Sequence, residues 1–183
     1  MTSKVEWREL AREPVADCRV FTVERSLAAS PIDGSRHAFY RIRSQDWAQI
    51  VPITRDGEIV LVRQYRHGAG RVTLEIPGGL IDSGEDPAEA ALRECLEETG
   101  YRGRTAVSLG VVNPNPALFD NRLHAYLATD VELERAIANT GTEQTEVVVR
   151  PVRELTGMLL RGEIDHALVA VTLWRYLHEH APR

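Results

Sequence analysis

The stretch Gly79 to Tyr101, GLIDSGEDPAEAALRECLEETGY, constrains this chain more than any other. Asp86 is a good N-cap, and Pro87 follows at the first helical position, where a missing N–H costs nothing. Glu89 stands three residues after the cap, as a capping box prefers. Gly100 is placed to stop the helix in a left-handed conformation. The pattern predicts a loop and then a helix from Pro87 to Thr99.

That helix has two unlike faces. Ala88, Ala91, Leu92, Cys95 and Thr99 follow the spacing of an apolar stripe. Glu94 and Glu98 lie one turn apart with Glu97 beside them, and like charges at that spacing weaken a helix by roughly 0.2–0.5 kcal/mol per pair. A solvated acidic face is the ordinary meaning of such a cluster, and the helix alone favours it. The other meaning is a site for hard divalent cations, which prefer carboxylate oxygens and would relieve the repulsion.

A chain of 183 residues is most simply one folded body with its own core. A net charge of −5 with no block of Lys or Arg argues against nucleic acid as a partner. An anionic substrate must then be met by local cations, either metal or Arg. Cys18 and Cys95 are the only cysteines, and Cys95 falls on the predicted buried face, so no disulfide framework is expected. The start, MTSKVEWREL, has no apolar core of a secretory signal, and no stretch approaches the ~20 apolar residues of a membrane span. The expectation is a cytoplasmic protein with no membrane partner.

Residues 1–17 are polar and poorly patterned. Residues 18–25 and 36–43 read as a hairpin around Pro31-Ile32-Asp33-Gly34-Ser35. Further strands are expected at 47–54 and 58–64 around Asp56-Gly57, at 72–76, 105–112, 122–129 and 147–150. Residues 132–146 read mostly as loop, with a possible helical turn from Glu132 to Ala138. Pro151 opens a helix ending near Gly162, and a final helix runs from Asp165 or His166 through His178. Strands with segregated helices indicate an α+β fold, a mixed sheet between helices. Residues 1–45 form an N-terminal segment with the hairpin, and 46–183 form the main domain. His178 and His180 lack a third zinc ligand at a recognisable spacing. Ser83 lacks a paired His and Asp.

Gly79, Glu85, Arg93, Glu94, Glu97, Glu98 and Gly100 fall at the fixed positions of G-x5-E-x7-R-E-U-x-E-E-x-G-U, with Cys95 and Tyr101 as mild departures at the two bulky apolar positions. This resembles the Nudix box, and seven fixed positions over 23 residues make a specific match. LVRQYR before the box, LEIPGG leading into it, GEIDHALVAVTLWRYL near the end, Pro114 and Pro116, and the extra N-terminal hairpin are similar to the ADP-ribose pyrophosphatase and nucleoside-diphosphate-sugar hydrolase branch of that superfamily.

The resemblance implies a Nudix fold with an added antiparallel hairpin, and hydrolysis of a nucleoside diphosphate linked to another group. It implies two or three Mg²⁺ or Mn²⁺ ions held by Glu94, Glu97, Glu98 and the carbonyl of Gly78. Arg93 fixes the carboxylates by salt bridge, and Glu85 is an outer ligand or a loop brace. Arg66 and Glu75 match positions that line the diphosphate and metal region. A remote acid that orients the attacking water aligns with Glu143, with Glu146 as the near alternative. Relatives of this branch exchange the N-terminal hairpin in a homodimer. Dinucleoside polyphosphates, NADH and oxidised nucleoside triphosphates are other substrate classes. A non-catalytic nucleotide sensor is the competing reading, disfavoured because a sensor has no need of every box carboxylate.

Overall fold

The computed structural model describes residues 5–137, 139 and 144–180. The chain divides into two compact units, Met1–Gln45 with Asn113–Arg122, and Asp46–Val112 with Leu123–Arg183.

The first unit is built on an antiparallel sheet in the order β1-β2-β3, with β1 Arg8–Asp17, β2 Thr22–Ala29 and β3 Arg36–Arg43. The expected hairpin is therefore the larger part of a three-stranded sheet. Strand β1 lies in the segment read as unpatterned. All ten of its residues are exposed, so no apolar alternation marks it. Pairing with β2 holds it, with register shifts at Glu9/Ala11 and Pro14/Ala16. Residues 18–21, read as the start of a strand, form the turn between β1 and β2. The Cys18 N–H donates to the Phe21 carbonyl at 2.9 Å, and Arg19 takes φ 67°. Across the sheet, the buried Glu24 carboxylate accepts two bonds from the Arg41 guanidinium, at 2.8 and 2.7 Å.

The second unit contains, among the described residues, an eight-stranded mixed sheet. Its strands are β4 Trp47–Thr54, β5 Glu58–Arg66, β6 Arg71–Glu75, β7 Gly78–Leu80, β8 Tyr101–Arg102, β9 Val107–Val112, β10 Leu123–Leu133 and β11 Thr145–Pro151. The path runs β11-β5-β4-β10-β8, with β6 on β5, β7 on β4 and β9 on β10. The β4–β10 pair is parallel, which makes the sheet mixed. Strand β10 outruns its expected end at residue 129. Asp130 takes φ 53° and the register shifts between Ala128 and Val131, after which the strand pairs with β8. Among the described residues 132–137 no helical turn forms at its end, and Ala138 lies outside them.

Three α-helices accompany the sheet among the described residues: α1 Pro87–Thr99, α2 Leu155–Leu160 and α3 Ala167–Glu179. Pro151 is the last residue of β11 rather than a helix start, and a 3-10 turn, Val152–Glu154, precedes α2. The alternation of β4 sorts the core. Ala48 and Ile50 pack with Val60, Ala90, Ala91 and Cys95 on the α1 face. Val51 and Ile53 pack with Leu61, Leu155, Val169 and Leu173 on the α3 face. The sheet is thus sandwiched between helices. No helix among the described residues is long and apolar enough to cross a membrane.

Candidate active site

Helix α1 is fixed at both ends by its own sequence. The Asp86 carboxylate accepts from the N–H groups of Ala88 at 2.8 Å and Glu89 at 3.4 Å, while Pro87 begins the helix. Gly100 ends it at φ 75°, and its N–H donates to the Leu96 carbonyl at 3.0 Å. Ala90, Ala91, Cys95 and Thr99 face the sheet. Burial pushes the Cys95 thiol up to about 12, so it serves as a small apolar group.

The predicted acidic face divides on folding. Glu98 is 9% exposed, whereas the Glu97 side chain is 49% exposed. Glu98 turns to the protein body, where its Oε2 accepts the Gly78 N–H at 2.9 Å. Glu94 lies against Gly79: a β-carbon there would come 2.5 Å from Glu94 Oε1. Strand β7 reaches this position by pairing with β4, Gly79 opposite Ala48 and Gly78 opposite Gln49.

Arg93 gathers the remaining charge. Its Nε and Nη2 donate to Glu85 Oε1 and Oε2 at 2.8 and 3.0 Å, and its Nη1 donates to Glu94 at 2.8 Å and Glu97 at 3.1 Å. Nη2 also reaches the Leu80 carbonyl at 3.1 Å. Glu85 in turn accepts the Asp82 N–H at 3.0 Å, which braces the loop before the helix. The Arg93 hydrogen bond holds the Glu85 carboxyl below the usual carboxylate range, outweighing the opposing effect of burial. The same bond raises Arg93 above its ordinary value.

A second pair lies on β5 and β6, on the same face of the sheet as α1. Glu75 is completely buried, and Arg66 grips it with two bonds at 2.8 and 2.7 Å. The Thr73 hydroxyl adds a third at 2.6 Å. Burial works against the Glu75 charge. The bonds from Arg66 and Thr73, the Arg66 charge and the His166 charge outweigh it and leave the carboxyl below its ordinary value.

The two candidates for the remote acid are placed differently. Glu143 lies outside the described residues. Glu146 is on β11, between Thr145, whose hydroxyl reaches α1, and Val147, which packs with the α1-side core. Strand alternation turns Glu146 to the other face, where it lies 3.7 Å from Arg63.

The metal that the box implies can be tested against these donors. Glu94, Glu97 and Glu98 supply only carboxylate oxygens, which suits a hard cation. The close approach of Glu94 to Gly79 leaves no room for a side chain there. Among the described residues no three candidate ligands converge on one point. In the present arrangement the Arg93 guanidinium draws Glu94 and Glu97, and the Gly78 N–H holds Glu98. The donor set fits a divalent ion, with Arg93 as its internal counter-charge. Thr73 was not anticipated from the sequence. Its signal is its place two residues before Glu75 on the same face of β6.

The NUDIX domain model matches residues 45–171. Over 144 residues the chain is 38% identical to an ADP-sugar pyrophosphatase of Mus musculus, covering 73% of this chain and 66% of that one. Over 84 residues it is 33% identical to an ADP-ribose pyrophosphatase of Bacillus subtilis (strain 168), covering 46% of this chain and 45% of that one. It thus spans less than two thirds of the length of either relative. A crystal structure of an ADP compounds hydrolase superposes with a TM-score of 0.86 at 26% identity, covering 100% of both chains. The chain belongs to the Nudix family.

Proposed function

We propose that this chain is a Nudix pyrophosphohydrolase that cleaves the P–O–P bridge of ADP-ribose or another nucleoside-diphosphate sugar, giving a nucleoside monophosphate and a sugar phosphate. The observation that carries the reading is the grouping of the box carboxylates. Glu85, Glu94 and Glu97 meet on Arg93, and Glu98 is docked on the N–H of Gly78. The relatives named for ADP-sugar and ADP-ribose support this substrate class.

Two to three Mg²⁺ or Mn²⁺ ions would offset the diphosphate charge and lower the pKa of the attacking water. Glu94, Glu97, Glu98 and the Gly78 carbonyl would hold them, and Arg93 and Glu85 keep the loop and helix in register. Arg66 meets the diphosphate, and Glu75 fixes the plane of its guanidinium through the two-bond grip. Glu143 takes the proton from the water as its oxygen bonds to phosphorus. The bridging oxygen leaves on the other phosphate. Residues 46–183 carry the chemistry, and the N-terminal residues 1–45 join two copies in a homodimer that acts in the cytoplasm.

The test is a panel of ADP-ribose, other nucleoside-diphosphate sugars, diadenosine polyphosphates and NADH with Mg²⁺, followed by ³¹P NMR. Release of nucleoside monophosphate and sugar phosphate, fastest for a nucleoside-diphosphate sugar, is the expected result. Saturable nucleotide binding with no cleavage would overturn it in favour of a sensor.

A further inference from the structure

Glu98 is fastened at two places by two strands that are distant in sequence. Its carboxylate accepts the Gly78 N–H from β7 at 2.9 Å. Its backbone carbonyl accepts the Thr145 hydroxyl, from the start of β11, at 2.8 Å. That carbonyl belongs to the last turn of α1, whose C=O groups have no partner within the helix. Thr145 is itself buried and bracketed by one side chain. The Asn139 Oδ1 accepts the Thr145 N–H at 3.0 Å, and the Asn139 Nδ2 donates to the Thr145 carbonyl at 3.1 Å. Strand β11 ends the sheet path, and Asn139 takes the place there of a neighbouring strand.

We propose that Thr145, steadied by Asn139, is a positioning residue for the metal-facing carboxylate of Glu98. The proposal rests on the pyrophosphohydrolase reading above. Glu97 is half exposed and can adapt to an ion. Glu98 is clamped, so the clamp sets where the ion sits. Small displacements of such groups carry large penalties in catalysis, on the order of 10²-fold for ~1 Å. Removing the Thr145 hydroxyl takes away the bond by which β11 holds the last turn of α1 at the Glu98 carbonyl.

The experiment measures Mn²⁺ binding by electron paramagnetic resonance, without substrate, in wild type, Thr145→Val, Thr145→Ser and Asn139→Ala. The Mg²⁺ dependence of hydrolysis and the melting temperature are recorded on the same samples. Thr145→Val is expected to weaken Mn²⁺ binding about 10–100-fold, the range for groups that orient ligands. Thr145→Ser is expected to restore it to within about threefold, because it keeps the hydroxyl that makes the bond. Asn139→Ala falls between them. Thr172→Val, at a buried α3 hydroxyl with no hydrogen-bond partner among the described residues, is the control and keeps wild-type affinity. Wild-type Mn²⁺ affinity in Thr145→Val, or equal loss in the Val and Ser variants, overturns the proposal. Should Thr145→Val unfold, Asn139→Ala decides by the same criterion. A wild-type protein that binds no Mn²⁺ overturns the proposal and the reading together. One that binds Mn²⁺ with the expected variant order but cleaves no nucleotide overturns the reading alone.

Discussion

The Glu94 carboxylate rests on bare backbone at Gly79: a single added β-carbon would stand 2.5 Å from its Oε1. The glycine that opens the box therefore makes room for a functional group 15 residues further on. Gly79→Ala must displace Glu94 or the β7 strand. It is expected to lower kcat/KM at least about tenfold with only a modest change in melting temperature, since the displaced group is a part-exposed side chain. Wild-type kinetics in this variant would show that Glu94 has no fixed part in the chemistry.

Glu97→Gln and Glu98→Gln keep shape and remove charge. Both are expected to lose most activity, because a neutral amide is a poorer ligand for a divalent ion. They should differ in stability. Glu97 is half exposed and accepts one bond from Arg93, so its loss is nearly neutral without metal. Glu98 is buried and accepts a charge-assisted bond from Gly78, so its loss costs about 1–2 kcal/mol. Chemical denaturation with and without Mg²⁺ measures the difference.

Glu143→Gln is expected to depress kcat on the order of 10²–10⁴-fold with a smaller effect on KM, as for a lost general base. Glu146→Gln is expected to stay within about twofold of wild type, because β11 turns Glu146 away from α1 to Arg63. Steady-state kinetics on the two proteins separates them. Impairment of Glu146→Gln alone reverses the assignment.

Arg66→Ala strands a fully buried carboxylate at Glu75. The expected cost is about 2–3 kcal/mol near neutral pH, below that of a wholly buried pair because the Arg66 side chain is partly open to solvent. The sign of its pH dependence follows from Glu75. Its carboxyl is held below the ordinary value of 4.5 in the folded protein. The pair therefore contributes fully above that value, and the contribution is lost as pH falls through the lower, folded value. Denaturation between neutral and acid pH should show the wild-type advantage shrinking towards the acid end.

The N-terminal sheet exposes Phe39 and Tyr40, and Trp7 meets Phe39 edge-on with ring centroids 5.0 Å apart. Exposed aromatic surface of this kind is characteristic of a contact with another chain. Light scattering at micromolar concentration is expected to return twice the 20.5 kDa chain mass. A monomer mass would rule out the dimer.

The helix α1 was legible because its signals are local. Asp86, Pro87 and Gly100 lie within one turn of the ends they define. The positions of the three carboxylates followed from spacing, but their surroundings did not. Glu98 is buried because a backbone N–H from β7, twenty residues earlier, meets it. Periodicity within a helix carries no information about that strand. Strand β1 was missed for the opposite reason: it has no buried face to impose alternation. The side of the sheet that Glu146 takes depends on the register of β11, while Glu143 lies outside the described residues. A start at Thr145 puts odd residues toward α1, and a shift of one residue would have reversed the sides.

Arg93 brings three carboxylates onto one permanently charged group. A guanidinium cannot diffuse away or be captured by a chelator as an ion can. The acidic helix is thus not a folding liability that ions alone must cure. Chelation of the purified protein should silence it while leaving its melting temperature nearly unchanged, and adding the ion back should return activity without refolding. On the proposed function, such a protein would be storable empty and would track the supply of divalent ion in its surroundings through its rate, not through its survival.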